Sequence, residues 1–324
     1  MKRRAFFAGL AGAAAWPLVG HAQRPERMRR VGVLNAFPKN DPVNQASVAA
    51  FAAALENLGW VEGENIQIDY RFAAGDPALF KTYAAELVGL SPNAILASNT
   101  PAVAALRQQT RTIPIVFVRV SDPVGQGFVQ SLARPGGNIT GFSVSDAPIM
   151  GKRLQLLKEV APGVTRVAAI FNPDLTAPSA FNTAIEAAAP SLGMTVKLVP
   201  VHDAAAIEEA IAAQAREPGG SLISLPDSFT LSHRDVIIAA AIRYKLPLMG
   251  YARAGGLIDY GLNPVEVQAQ AASYIDRILK GASPADLPVQ QPTKFLLVIN
   301  LKTAKALGLT VPPDMLDLAD EVIE

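Results

Sequence analysis

IPIVFVRVSDPVGQG, residues 113–127, decides how this chain is read. Five of the six residues from Ile113 to Val118 are apolar, most of them β-branched or aromatic. A short unbroken apolar run of this kind suits a strand buried on both faces, as in a parallel sheet. The run stops at Ser121, Asp122 and Pro123, followed by Gly125 and Gly127. In open parallel sheets, solutes bind beyond the carboxyl ends of the strands, where helix N-termini point their free N–H groups. Asp122 before Pro123 also has the form of an N-cap followed by Pro at the first helical position. Two readings of Asp122 therefore stand together, a helix cap and a carboxylate presented to a ligand.

The same unit recurs along the chain as an apolar run, a polar or Pro-containing turn and a segment with helical spacing. Strands are expected at 31–35, 65–72, 94–98, 113–120 and 139–144, then at 164–172, 195–201, 221–225 and 246–251. Helices are expected between them, at 44–58, 77–90, 101–109, 179–192, 204–216 and 232–245. Each set suffices for its own sheet, so the fold class is α/β with two doubly wound parallel-sheet lobes. A length of 324 residues fits this division, because single cores stop growing near roughly 250 residues. The break falls at 143–150. Beyond 251 come a short strand near 257–260, a helix at 265–279, a Pro-rich stretch, a strand at 295–300 and a last helix. The chain is thus expected to cross between lobes more than once, with hinge segments side by side. The first lobe would hold 30–144 plus about 252–290, and the second 145–251 plus about 291–324.

The N-terminus has a basic start at Lys2, Arg3 and Arg4, an uncharged segment from Ala5 to Val19, and the small-x-small site Gly20-His21-Ala22. This is the pattern of a secretory signal over residues 1–23. Arg3-Arg4-Ala5-Phe6-Phe7 resembles a twin-arginine signal and is also compatible with the general export route. No later segment offers about 20 uncharged apolar residues, so no membrane helix is expected. The chain has no Cys, which excludes a disulfide framework, a thiol nucleophile, a thiolate metal site and a lipidated cysteine. The expected location is the periplasm, without a lipid anchor. Without Lys2, Arg3 and Arg4 the 29 basic residues fall to 26 against 28 acidic ones, a net charge of −2. No basic stripe for nucleic acid is visible beyond the lead-in of residues 24–30.

The strand ends carry the candidate site. Asn35 and Phe37 follow the first strand, Ser98 and Thr100-Pro101 the third, and Asp122 the fourth; Asn172, Asp227 and Tyr251 stand at ends in the second set. Catalytic patterns are lacking. The mature chain keeps only His202 and His233, with no familiar zinc spacing. Gly151-Lys152 has Arg153 where a phosphate loop needs Ser or Thr, and Gly141-Phe142-Ser143-Val144-Ser145 lacks the second Gly of a nucleophile elbow. No Gly-x-Gly-x-x-Gly follows the first strand, so no cofactor is expected.

PIVFVRVSDPVGQGFVQSLARPGGNITGFS, residues 114–143, strongly resembles the substrate-binding proteins of ABC-type uptake systems, in the family that includes tryptophan and tyrosine binders. The resemblance continues through LGWVEGENIQIDYRFAAGD, ASNTPAVAALRQQT, LQLLKEVAPGVTRVAAIFNP and INLKTAKALGLTVPP, and so covers nearly all of residues 30–313. It implies a two-lobed periplasmic binding fold of type I with three crossovers, not an enzyme. Such a protein, expected to be a monomer, closes over a small solute and delivers it to a membrane permease. The resemblance places Asn35, Thr100 and Asp122 in the cleft from one lobe, and Asn172 and Asp227 from the other. An amino acid needs an acceptor for its ammonium, donors for its carboxylate and a side-chain pocket. Asp122, the Thr100 turn and an aromatic such as Tyr251 or Phe37 would meet those needs, and would equally suit an aromatic acid. Two rivals remain: a sensor of the same shape that reports to a receptor, and a cleft enzyme using Asp122 and Asp227 as a carboxylate pair.

Overall fold

The computed structural model describes residues 28–144, 146–175 and 179–324. The export signal read at residues 1–23 lies outside the described residues.

The elements run β1 (Arg29–Asn35), α1 (Pro42–Asn57), β2 (Ile66–Phe72), α2 (Pro77–Gly89), β3 (Ala94–Ser98), α3 (Thr100–Gln109), β4 (Ile115–Ser121), β5 (Ile139–Val144), α4 (Asp146–Val160), β6 (Arg166–Phe171), α5 (Ser179–Ala188) and β7 (Thr195–Pro200). They continue as α6 (Ala204–Gln214), β8 (Gly220–Ser224), α7 (Ser228–Ser232), α8 (Arg234–Arg243), β9 (Leu248–Met249), β10 (Ile258–Gly261), α9 (Pro264–Leu279), β11 (Leu296–Asn300), α10 (Leu301–Leu307), α11 (Pro313–Leu318) and β12 (Glu321–Ile323). One sheet has the order β2-β1-β3-β4-β5 and is wholly parallel. The other has the order β12-β11-β10-β9-β8-β6-β7 and is parallel except where β10 meets β11. Each therefore has a switch point, between β1 and β3 and between β6 and β8, where the strand order reverses and a crevice opens.

Each sheet is covered on both faces, which accounts for its unbroken apolar strands. In the first lobe Val31, Val33, Leu96, Val116 and Val118 pack under α1 and α9, while Leu34, Ile95, Phe117 and Val120 pack under α2 and α3. That distribution contains an irregularity. Successive residues of a regular strand face opposite sides, so Val118 and Val120 should share one. They lie in different cores, because a bulge interrupts the β4–β5 register between Val118 and Val120, and Arg119 takes φ 58°. Gly141 on β5 allows the close approach: at φ 150° it carries no Cβ to strike the Phe117 backbone.

The chain passes between the sheets three times, after β5, between β10 and α9, and before β11. The first and third passages touch: the Ser143 N–H donates to Gln290 O at 2.9 Å, and Gln290 N–H to Gly141 O at 2.9 Å. The second passage corrects the expected boundary. Residues 258–261, assigned from sequence to the first lobe within 252–290, pair with β9 and β11 in the second sheet. The chain from α9 to Val289 returns to the first core, where α9 packs against α1 and Leu287 and Val289 are buried. The expected last helix is two short helices followed by a parallel edge strand, β12.

Candidate ligand-binding site

A cavity of about 370 Å³ lies between the C-terminal edges of the two sheets. Phe37, Asn99 and Arg119 line it from the first lobe, and Ser224, Asp227 and Tyr251 from the second. Ile149, Leu231 and Phe295 are among its apolar walls. A mostly apolar enclosure with a few convergent polar groups is the usual form of a small-molecule site.

Two residues of the first-lobe wall, Asn99 and Arg119, take unfavourable backbone conformations. Arg119 sits on the β4 bulge with its guanidinium carbon 4.5 Å from the centroid of the Phe37 ring, a cation–π arrangement. Its Nε is buried and has no hydrogen-bond partner. Burial lowers the Arg119 guanidinium to about 10, with the Asp41 charge acting in the opposite direction. Asn99 takes φ 71° immediately before α3 and makes no side-chain cap to that helix; its Oδ1 is buried and unpartnered.

Most polar groups of the second-lobe wall are satisfied internally. Asp227 caps α7: its Oδ1 accepts from Thr230 N–H at 2.6 Å, and its Oδ2 accepts from Asn172 N–H at 3.0 Å. Burial pushes the Asp227 carboxyl up to about 6 despite those bonds. The hydroxyls of Tyr251 and Ser224 lie 2.6 Å apart, and burial raises Tyr251 well above the ordinary phenol range. Three further arginines line the cavity, and each has a protein partner. Arg253 pairs with Glu321 at 2.7 Å, Arg153 Nε donates to Tyr260 O at 2.7 Å, and Arg234 pairs with Asp41.

That last pair joins the lobes, since Asp41 caps α1 and Arg234 opens α8, and both side chains are largely buried. Leu231 of α7 likewise packs against the first-lobe core, and the Gly75 turn meets Ser228 and Phe229. The lobes are therefore in contact across the cleft.

Of the residues expected from sequence, Phe37, Asp227 and Tyr251 line the cavity. Asn35 is buried behind it: its Nδ2 donates to Asn44 Oδ1 at 2.6 Å and its Oδ1 accepts from Phe37 N–H at 3.0 Å, so it shapes the loop that carries Phe37. Asn172 is also a supporting residue, accepting from Asp174 N–H at 2.9 Å while its own N–H serves Asp227. Ser98 points to the face shared with Leu96, away from the cavity, and Thr100 starts α3 without lining it.

Asp122 requires the largest correction. It is exposed, does not line the cavity, and caps no helix; its Oδ1 accepts from Gly125 N–H at 2.9 Å in an irregular turn. Asp122 itself takes φ 42° and Gly127 φ 65°, and residues 123–138 continue as turns and bends. The bulge three residues earlier delivers Arg119 to the cavity, and the chain has turned outward by Asp122. The carboxylate pair Asp122–Asp227 is thus not assembled in the cavity. Asn99 and Arg119 were passed over in the sequence, although an Arg within the apolar run IVFVRVS was a visible signal. Among the described residues no group of three or more His, Asp or Glu could hold a metal ion, and no helix is long and apolar enough to cross a membrane.

This architecture defines the two-lobed α/β fold of the type I periplasmic binding class, with a cavity in the interlobe cleft. The chain belongs to the ABC transporter substrate binding protein family, whose model matches residues 33–323. It is 27% identical over 264 residues to a tyrosine-binding protein of Clostridioides difficile, spanning 80% of this chain and 75% of that one. A conserved domain protein of Vibrio cholerae is 30% identical, with a TM-score of 0.85 over 91% of this chain and 100% of the other. The ABC domain of Streptococcus pneumoniae in complex with L-Trp has a TM-score of 0.85 at 24% identity, over 91% of this chain and 100% of that domain. A ligand-free, open substrate binding protein with adhesive properties from Clostridium difficile has a TM-score of 0.66 at 26% identity, over 91% of this chain and 99% of that one.

Proposed function

We propose that this protein is the periplasmic solute receptor of an ABC importer, capturing an amino acid or an aromatic acid by closure of its lobes and presenting the closed form to an inner-membrane permease. The observation that carries this reading is the interlobe cavity at the C-terminal edges of both sheets, apolar over most of its wall and lined by residues that hold buried polar groups with no protein partner. The relatives named for tyrosine and tryptophan favour an amino acid. The better superposition on the L-Trp complex than on the open, ligand-free protein, at nearly equal identity, supports reading the lobe arrangement as the closed form. A solute favours closure only through contacts missing in the open state, and here these would span Arg119 on one wall and Tyr251 on the other. The protein acts as a monomer, and its solute leaves chemically unchanged.

A thermal-shift screen of the mature protein against amino acids, aromatic acids and nucleosides tests this. A solute at 100 times its Kd stabilises the folded state by about 2.7 kcal/mol. The bound solute should be recovered intact after prolonged incubation; turnover would show an enzyme instead. Restored uptake in vesicles containing the permease separates delivery from receptor signalling.

A further inference from the structure

Resting on the reading of the cavity as a solute site, the geometry assigns the recognition of the solute's charged head to two adjacent first-lobe residues, Asn99 and Arg119. They are neighbours across the β3–β4 register, where the Asn99 N–H donates to Val118 O at 2.9 Å. Both line the cavity. Both lie in the left-handed region, at φ 71° and 58°, which is unfavourable for Arg in particular. Strained residues of this kind persist where the surrounding structure fixes them, and they cluster at binding sites.

Each also leaves one buried polar atom unmatched, an acceptor in Asn99 Oδ1 and a donor in Arg119 Nε. A buried polar group without a partner is destabilising, and a ligand that supplies the partner relieves that cost. Asn99 stands where it could cap α3 and does not, so its oxygen is free for another donor. Arg234 and Arg253 pair with carboxylates, whereas Arg119 and, in the opposite wall, Arg153 have no ion pair among the described residues; Arg153 is tethered through its Nε to the Tyr260 carbonyl, which makes Arg119 the first candidate for a ligand anion and Arg153 its competitor. A cation and an acceptor on neighbouring residues of one wall suit a solute that carries an anion and a cationic donor on a single carbon. The α-carboxylate and α-ammonium of a free amino acid have that arrangement. Arg119 takes the carboxylate, Asn99 Oδ1 accepts from the ammonium, and the side chain extends over Phe37 toward Leu231 and Phe295. Asp259 on β10, in the opposite wall, is the competing acceptor for the ammonium.

The test is calorimetry on the mature protein with L-tyrosine, L-tryptophan, L-phenylalanine and L-leucine, each beside its des-amino acid and its decarboxylated amine. The tightest amino acid should bind at least tenfold more strongly than either truncated analogue. Arg119→Met should remove the preference over the amine, and Asn99→Gly, which tolerates the backbone at this position, the preference over the des-amino acid. Arg119→Lys should restore part of the carboxylate preference, and Asp259→Asn should leave both preferences in place. A des-amino acid binding as tightly as its parent, or loss of the ammonium preference in Asp259→Asn alone, overturns the Asn99 assignment. An amine binding as tightly as its parent overturns that of Arg119. Stabilisation by sugars or nucleosides with none by amino acids overturns the whole assignment while the solute-receptor reading stands. No stabilisation by any solute class removes that reading too.

Discussion

The two walls of the cleft are built on opposite plans. On the second-lobe side, Asp227, Asn172, Thr230, Ser224 and Tyr251 spend their hydrogen bonds on one another. On the first-lobe side, Asn99 and Arg119 hold buried atoms that nothing in the protein matches. A satisfied network fixes a surface in advance, whereas an unmatched one is complete only with a guest. The difference teaches that position at a strand end does not by itself identify a ligand contact; what separates the two walls is whether each polar group already has a partner.

That contrast is breakable, and the sharpest blow falls on the satisfied wall. Asp227→Ala leaves the N–H groups of Thr230 and Asn172 without their acceptor, and at about 1–3 kcal/mol each the variant should lose about 3 kcal/mol in denaturant unfolding. Asp227 also imposes a pH dependence. Its folded value, about 6, exceeds the ordinary 3.8, so the folded state holds the proton more tightly. The stabilisation from this group is then complete below pH 4 and is lost as pH rises through 6, a change of roughly 3 kcal/mol by linkage. Asp227→Asn should flatten that part of the stability profile between pH 4 and 7; an unchanged profile would place the titration elsewhere.

On the unmatched wall, Arg119→Met should weaken solute binding by about 100-fold, equivalent to about 2.7 kcal/mol. The solute-free variant should melt no earlier than the parent, because a buried cation lacking an anion is removed. A large fall in the melting temperature of the empty protein would instead make Arg119 a structural residue. Across the cleft, Arg234→Ala removes the partner of Asp41 and should cost about tenfold in affinity, with X-ray scattering showing a more open solute-free particle. At the foot of the scale, Asp122→Ala should change affinity by less than about twofold and stability by less than about 0.5 kcal/mol, as an exposed turn residue does.

Most of the architecture was legible, because continuous apolar strands alternating with helices admit few arrangements. The strands expected at 31–35, 94–98 and 139–144 lie within a residue or two of β1, β3 and β5. The boundary near 258 was less so: a four-residue strand joins the sheet that its pairing partners occupy, and its antiparallel partner, 296–300, comes from beyond α9. In the site, Phe37, Asp227 and Tyr251 were legible as side chains at strand ends. Asn99 was not, and Arg119 was legible only as a charge inside an apolar run, because their exposure to the cavity depends on positive φ values that a sequence does not display for Asn and Arg. Asp122 misled for the complementary reason, since Asp-Pro encodes a turn as readily as a helix start.

The bulge in β4 has a consequence for the charge of the chamber. Because the extra residue is pushed out of the ladder while Val118 and Val120 stay anchored in separate cores, whatever side chain occupies position 119 is projected into the chamber by the backbone, not by its own chemistry. The position works as an interchangeable socket. Replacing that one side chain would change the charge of the chamber while its two anchors stay in place, provided the newcomer accepts a positive φ.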